Sequence, residues 1–187
     1  MKLNFLDMIK IQDCHKNKSR YIYQQVKKIP IIAIGGISGT GKTEISYCLQ
    51  QLFHEDGLKY QIVSEDNFYL TNWRDRNKIR KETDVIGMKE IGWKELITVV
   101  RIFQKLPCYD GVIIEGLYAN NVKNKHVGIM IEEKGVYLEG TIRQTDVFRR
   151  LRGKETLNDF RKYVMKKEEI DVKKTKSMAH IIVPWII

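Results

Sequence analysis

The sequence contains no long hydrophobic run. None of its apolar segments approaches the roughly 20 residues that a membrane-spanning helix needs. The first 20 residues, MKLNFLDMIKIQDCHKNKSR, lack the unbroken apolar core and the small-residue cleavage site of a signal peptide. We therefore expect a soluble, cytoplasmic protein with no membrane partner.

Cysteine and histidine are scarce and poorly spaced for metal binding. The three cysteines, Cys14, Cys48 and Cys108, are far apart and form no C-x-x-C pair, which argues against a disulfide framework and against a structural zinc site. The four histidines show no metal-ligand spacing either. We assign the histidines no catalytic role.

Acidic residues are fewer than basic residues. The chain has 33 Lys and Arg against 23 Asp and Glu, which gives a formal net charge of +10. Residues 1–28 carry 7 basic and 2 acidic groups, and residues 143–176 carry 12 and 6. Such an excess attracts polyanions by long-range steering and counterion release. Nucleic acid is therefore a candidate partner, and a merely solvated basic surface is the alternative.

Apolar runs alternate with helical patterns along the chain. A length of 187 residues with 43% hydrophobic residues predicts one domain, 1–187. Five short apolar runs are typical of buried parallel strands: 30–34, 60–64, 111–116, 136–140 and 179–184. Helical patterns cover 43–53, 90–104, 142–152 and 157–170, and residues 1–28 form a helical extension. We predict an α/β fold with a mainly parallel sheet; a hairpin within 127–140 is an alternative.

Residues 36–43, GISGTGKT, match the pattern G-x-x-x-x-G-K-[ST] between a predicted strand and a predicted helix. The glycines allow backbone N–H groups to surround phosphate oxygens, and the helix N-terminus adds partial positive charge. Lys42 would bridge the outer phosphates of ATP, and the Thr43 hydroxyl would bind Mg²⁺. The predicted ATP-binding residues are Gly36, Ser38, Gly39, Thr40, Gly41, Lys42 and Thr43.

Carboxylates follow two of the predicted strands. Because the carboxyl ends of parallel strands face the ligand crevice, Asp66 would point toward the phosphate loop and take the proton of an acceptor hydroxyl. Glu115, at the end of GVIIEG, would hold Mg²⁺ directly or through water. The alternatives are capping or turn carboxylates. Glu65 is interpreted as a supporting or surface group.

A phosphate loop alone does not separate a kinase from a GTPase switch or an ATP-driven motor. The sequence DVIG at 84–87 fits the D-x-x-G of GTPases but follows a charged run, not a buried strand. The sequence NKHV at 124–127 lacks the aspartate of a guanine-reading N-K-x-D. The GTPase interpretation therefore loses both of its supports.

The motifs GISGTGKT, DNFY, VIIEGLYA and AHIIVPW together resemble those of the uridine kinase, phosphoribulokinase and bacterial pantothenate kinase family, over roughly residues 30–184. The resemblance implies a three-layer P-loop NTPase fold with a five-stranded sheet, ATP and Mg²⁺ as cofactors, Asp66 as base and Glu115 at the magnesium site. It also implies a helical lid at 141–170. The segment DVFRRLRGKE looks like the family's lid helix, which makes Arg149, Arg150 and Arg152 candidates for stabilising the transferring group.

The chain departs from the family on the acceptor side, 66–90, where we expect a loop. IGMKEIGWKEL replaces the ribose-binding aspartate motif of uridine kinases, with Glu90 as a candidate substitute, and the family's insert before the glutamate strand is missing. One hypothesis is a small acceptor, nucleoside-like, sugar-like or pantothenate-like. A second is a hydroxyl within a nucleic acid, such as a hydroxymethylated pyrimidine in DNA, contacted by Tyr69, Trp73, Arg74 and Arg76. The third hypothesis is a nucleotide-binding regulator without transfer activity.

Overall fold

The computed structural model describes residues 13–125, 132–142 and 157–184, with only the backbone for Trp73 and 123–125. These residues form five strands and five helices. The strands are β1 (Ile31–Gly36), β2 (Tyr60–Ser64), β3 (Gly111–Glu115), β4 (Glu133–Leu138) and β5 (Ile181–Val183). The helices are α1 (Asp13–Val26), α2 (Lys42–Glu55), α3 (Trp73–Thr83), α4 (Trp93–Lys105) and α5 (Asp159–Lys176). Short 3₁₀ turns cover Glu65–Phe68, Met88–Glu90 and Ala119–Lys125.

The strands form one parallel sheet in the order β2-β3-β1-β4-β5. In the register, Ala33 of β1 lies opposite Ile114 of β3 on one side and Gly135 of β4 on the other. The predicted five-stranded sheet is confirmed. The hairpin alternative does not hold for β4, because both of its edges pair with parallel neighbours.

Helices cover both faces of the sheet, as predicted. Because side chains alternate along a strand, Ile32 and Ile34 pack with α1 and α2, whereas Ile31 and Ala33 pack with α4. Helix α5 lies on the α4 side, where its Val172 belongs to the same apolar cluster as Tyr137. The result is a three-layer α/β fold whose phosphate loop leaves the sheet at the end of central strand β1.

Helix α1 packs against α2 and belongs to the core. Its Ile22 and Val26 are fully buried, and Ser19 donates a hydrogen bond to the carbonyl of Ile45 in α2. The helix prediction for the N-terminal extension holds from Asp13 onward, and residues 1–12 lie outside the described residues. Among the described residues, no helix is long and apolar enough to cross a membrane.

Two segments differ from expectation. The acceptor-side region contains helix α3 where a loop was expected, and the Asn72 side chain caps it by accepting hydrogen bonds from the N–H groups of Arg74 and Asp75. The second predicted lid helix, α5, is packed into the body of the protein through buried Val164 and Val172. The remainder of the predicted lid, 143–156, lies outside the described residues.

Candidate active site

The phosphate loop bends through three glycines with positive φ. The φ angles are +145° at Gly36, +83° at Gly39 and +86° at Gly41, and α2 begins at Lys42. The first N–H groups of a helix have no partner within the helix and attract anions. Loop residues and the first turn of α2 line a cavity of about 350 Å³. The loop therefore has the backbone form that phosphate binding requires.

Lys42 is held at the base of this loop. Its Nζ donates a hydrogen bond to the carbonyl of Ile37 at 2.9 Å, and the Thr40 hydroxyl donates to the same carbonyl, also at 2.9 Å. Burial lowers the pKa of Lys42, and the negative charges of Glu115 and Asp66 oppose that shift. The ammonium group thus lies in a nearly dry pocket between the loop and the acidic groups.

Oxygen donors meet at the ends of β2 and β3. Glu115 accepts a hydrogen bond from Thr43 Oγ1 at 3.2 Å through one carboxylate oxygen and from Ser64 Oγ through the other. Carboxylates and hydroxyls are ligands that suit Mg²⁺, which keeps waters and substrate phosphates as its remaining ligands. Among the described residues, no cluster of three or more His, Cys, Asp or Glu is placed to hold a metal ion.

Asp66 lines the same cavity as Lys42. It lies in the 3₁₀ turn directly after β2, and its side chain is exposed to the cavity and solvent. The predicted juxtaposition of Asp66 with the phosphate loop is therefore present in the structure. Its function as a base stays a prediction.

Glu65 is fully buried, whereas the sequence suggested a supporting or surface group. Its carboxylate accepts the Tyr118 N–H, at 3.1 and 3.3 Å to its two oxygens. Burial, followed by the charge of Asp66, raises the pKa of Glu65 to about 8. An added Cβ at Gly116 would lie 2.3 Å from the Glu65 Cβ, so the β3 backbone passes directly against this side chain. Burial thus favours the protonated form of Glu65 in the free protein.

A buried ionic cluster closes the acceptor side of the cavity. Arg80 of α3 donates two hydrogen bonds of 2.8 Å to Glu90 and one of 3.0 Å to Glu168 of α5. Glu90 also accepts the N–H of Gly87 at 3.0 Å. We expected Glu90 to contact the acceptor, but the structure turns both of its carboxylate oxygens to Arg80. Glu90 therefore positions Arg80, and Arg80 joins α3 to α5 through Glu168.

Two further arginines face the cavity. The Arg76 guanidinium lies 3.4 Å from the centroid of the Tyr69 ring, so this ring supports an arginine where base stacking was expected. Arg161, in the first turn of α5, lines the same cavity. Arg74 is exposed and outside the cavity lining, and the Trp73 side chain is outside the described residues.

The sequence prediction missed several residues of the site, and some residues that it did name lie outside the described residues. Arg149, Arg150 and Arg152, expected to act from the lid, lie outside the described residues. Glu65, Arg80, Arg161 and Glu168 were not singled out as site residues. The pairing of Arg80 with Glu168 spans 88 positions, and nothing in a single sequence signals it. Glu65 did carry a signal, because it follows buried Val63 at the two-residue spacing of a strand.

Comparisons with known structures find kinases of this fold. A candidate fructose transport system kinase from Silicibacter sp. TM1040 superposes with a TM-score of 0.57 at 14% identity, over 91% of this chain and 98% of that chain. A possible uridine kinase from Bacillus stearothermophilus superposes with a TM-score of 0.52 at 14% identity, over 89% and 97% of the two chains. No family model and no curated protein sequence matches this chain. The predicted three-layer P-loop fold is confirmed. Kinase activity and membership of the uridine kinase, phosphoribulokinase and pantothenate kinase family stay predictions.

Proposed function

We propose that this protein is an ATP-dependent kinase that transfers the γ-phosphate to an alcohol. One observation carries the proposal: the phosphate loop with Lys42 and the carboxylate of Asp66 line a single cavity of about 350 Å³. A cavity of this size accommodates a small hydroxyl compound or the reacting end of a larger one. The kinase fold of the structural neighbours supports the same activity.

In the proposed reaction, an acceptor oxygen forms a bond to the γ-phosphorus while the bond from that phosphorus to the bridging oxygen of ADP breaks. Asp66 accepts the proton of the attacking hydroxyl, and the leaving ADP keeps the electron pair of the broken bond. Lys42 and the loop N–H groups neutralise charge on the phosphate oxygens. Thr43 and Glu115 would hold Mg²⁺, which supplies further charge neutralisation when bound.

We propose that the acceptor is nucleoside-like, either free or within a nucleic acid such as DNA with a hydroxymethylated pyrimidine. The net charge of +10 supports the polymeric form. A small metabolite such as a sugar or a pantothenate-like alcohol is the alternative, and the names of the two structural neighbours, a uridine kinase and a fructose transport system kinase, favour small acceptors. Arg149, Arg150 and Arg152 remain proposed lid residues for the transferring group.

The proposal is tested by following transfer of labelled γ-phosphate to a panel of nucleosides, sugars, pantothenate, and DNA with and without hydroxymethylated bases. We expect Asp66→Asn to lower turnover by roughly 100-fold or more while ATP binding is kept. A regulator without transfer activity would label no acceptor, and Asp66→Asn would leave its nucleotide-dependent behaviour unchanged. That outcome would remove the kinase proposal.

A further inference from the structure

Three arginines line the cavity that Asp66 also lines, and we refer to them as its arginine wall. Arg76 and Arg80 come from α3, and Arg161 comes from the first turn of α5. They line the cavity together with the phosphate loop and are not part of the GISGTGKT sequence. The question is which negatively charged groups these three arginines bind.

The charge of Arg80 is already matched. Its guanidinium makes three hydrogen bonds, two to Glu90 and one to Glu168, and its side chain is only 2% exposed. A guanidinium bound in this bidentate way has little left to offer a ligand. We therefore assign Arg80 the role of fixing the arginine wall, with three of its hydrogen bonds made to Glu90 and Glu168.

The Arg76 guanidinium is held in position, but its positive charge is not matched by a carboxylate of the described residues. Its guanidinium lies over the Tyr69 ring, 3.4 Å from the centroid, and it forms no salt bridge with a carboxylate of the described residues. Its Nε is buried and has no hydrogen-bond partner among the described residues. A buried donor without a partner in a native structure calls for an explanation, and a ligand in the cavity provides one.

Arg161 stands close to Glu168, two helical turns further along α5. Burial raises the pKa of Glu168, and the charges of Arg161 and Arg80 oppose that shift. The Glu168 Oε1 atom already accepts from Arg80, and Arg161 makes no salt bridge to a carboxylate within the described ranges. Across Arg76, Arg80, Arg161, Glu90 and Glu168, three positive charges face two negative ones.

We propose that the acceptor carries an anionic group, a phosphate or a carboxylate, and that Arg76 and Arg161 bind this group while the acceptor hydroxyl faces Asp66. This inference rests on the proposed kinase function and names the class of its acceptor. Arg76, whose guanidinium is placed over the Tyr69 ring, carries the planar set of donors that suits bidentate binding of such an anion. The phosphate of a nucleotide and the phosphodiester of a nucleic acid share this chemistry.

A binding experiment separates this site from the γ-phosphate site. The protein is loaded with Mg²⁺ and the β,γ-imido analogue of ATP, so that the γ position is filled, and inorganic phosphate is titrated by calorimetry. We expect phosphate to bind the loaded wild-type protein. We expect Arg76→Gln and Arg161→Gln each to weaken that binding roughly tenfold or more, because each removes charged hydrogen bonds.

Matched controls remove the same charge from neighbouring exposed positions. Lys78→Gln lies on α3, and Lys162→Gln lies beside Arg161 on α5; both lysines are exposed and outside the cavity lining. We expect both variants to bind phosphate within about twofold of wild type, since exposed charges are screened. Equal losses in the control variants would show a diffuse surface effect and overturn the proposal.

Two further results of the binding experiment would count against the proposals. Phosphate that binds the MgADP form but not the analogue-loaded form would assign the arginines to the transferred group and overturn the inference. Failure of the ATP analogue itself to bind would instead refute the proposed function.

Transfer assays distinguish the sources of the anion. The acceptors compared are 5-hydroxymethyldeoxyuridine, its 5′-monophosphate and an oligonucleotide containing it. Preference for the monophosphate or for the oligonucleotide supports the inference, and equal use of the neutral nucleoside contradicts it.

Discussion

The Thr43 hydroxyl donates a hydrogen bond of 3.2 Å to Glu115 and so joins the first turn of α2 to the end of β3. The two residues are 72 positions apart in the sequence and meet because β1 and β3 are parallel neighbours in the sheet. Ser64, at the end of β2, donates to the other carboxylate oxygen of Glu115. Three segments therefore fix one carboxylate beside the phosphate loop.

We predict that Glu115→Gln weakens the binding of Mg²⁺ that the proposed transfer requires. The amide keeps the size of the side chain and can still accept a hydrogen bond, but it lacks the negative charge that attracts the cation. We expect the Mg²⁺ concentration at half-maximal activity to rise by roughly 10- to 100-fold, by analogy with losses around other metal sites. Glu55→Gln, exposed at the end of α2, is the control and should leave the Mg²⁺ titration unchanged. An unchanged titration for Glu115→Gln would remove Glu115 from the magnesium site.

Glu65 predicts a pH dependence of folding stability. Its pKa is raised from 4.5 to about 8, with burial as the largest cause. Between these values the folded protein holds a proton that the unfolded chain releases. The stabilisation is therefore complete below pH 4.5 and is lost as the pH rises toward and through about 8, with a slope of at most about 1.4 kcal/mol per pH unit.

We expect Glu65→Gln to flatten this part of the stability profile. Glutamine stays neutral at every pH and its carbonyl can still accept the Tyr118 N–H. The test is the free energy of unfolding from denaturant titrations at pH 5.5 to 8.5, without nucleotide or Mg²⁺, with exposed Glu82→Gln as the control. If wild type and Glu65→Gln follow parallel curves, Glu65 is ionised throughout this range and its assignment as a buried acid is wrong.

The ionic cluster predicts a large loss of stability when Arg80 is replaced. Arg80→Met keeps most of the side-chain volume but removes the hydrogen-bonded counter-charge of the buried carboxylates of Glu90 and Glu168. Breaking a buried pair in this way costs about 3–5 kcal/mol of the free energy of unfolding. Lys78→Met on the exposed side of α3 should change it by less than about 0.5 kcal/mol.

A compensating variant tests the electrostatic origin of that loss. In the triple variant Arg80→Met, Glu90→Gln, Glu168→Gln, no charge remains in the cluster. We expect it to recover part of the stability that Arg80→Met loses, measured by the same denaturant titration. A triple variant less stable than the single one would show that packing and hydrogen-bond geometry, not unpaired charge, set the loss.

The sheet was predictable from the sequence because its strands are short apolar runs with clear boundaries. Strand β2 lies where its run predicts, at Tyr60–Ser64. Strand β4 starts earlier than expected, at Glu133, because its first residues are charged or glycine and carry no apolar signal. Gly135 is needed there for contact, since an added Cβ would lie 2.7 Å from Asn120 Oδ1. Such a contact between distant segments is invisible in a single sequence.

The acceptor side was less predictable for a physical reason. The sequence of α3, WRDRNKIRKET, has almost no apolar stripe, so helical periodicity could not identify it. Its position is held by the Asn72 cap and by Arg80 in the ionic cluster. The phosphate loop could be predicted without knowledge of the tertiary structure, because its glycines and lysine all lie within residues 36–43. The acceptor wall is assembled from side chains of α3, a turn and α5.

Helix α1 adds a constraint on the phosphate loop that its sequence motif does not reveal. Gly41 has a φ of +86°, and an added Cβ would lie 2.5 Å from Nε2 of His15 in α1. Gly57 has a similar φ of +77°, but an added Cβ there meets nothing within 4 Å. The two glycines therefore share a left-handed backbone conformation, but only an added Cβ at Gly41 would collide with a neighbouring side chain.

We predict that Gly41→Ala destabilises the protein more than Gly57→Ala does. Left-handed backbone costs an alanine about 1–2 kcal/mol, and Gly57→Ala should lose only this amount of unfolding free energy. Gly41→Ala adds the collision with His15, which should raise the loss by at least about 1 kcal/mol and weaken ATP binding as the loop shifts. The double variant His15→Ala, Gly41→Ala removes the colliding ring, so its stability should fall short of His15→Ala alone by no more than the Gly57→Ala loss. Denaturant titrations of the four variants measure these differences. Equal losses for Gly41→Ala and Gly57→Ala would mean that α1 does not press against the phosphate loop.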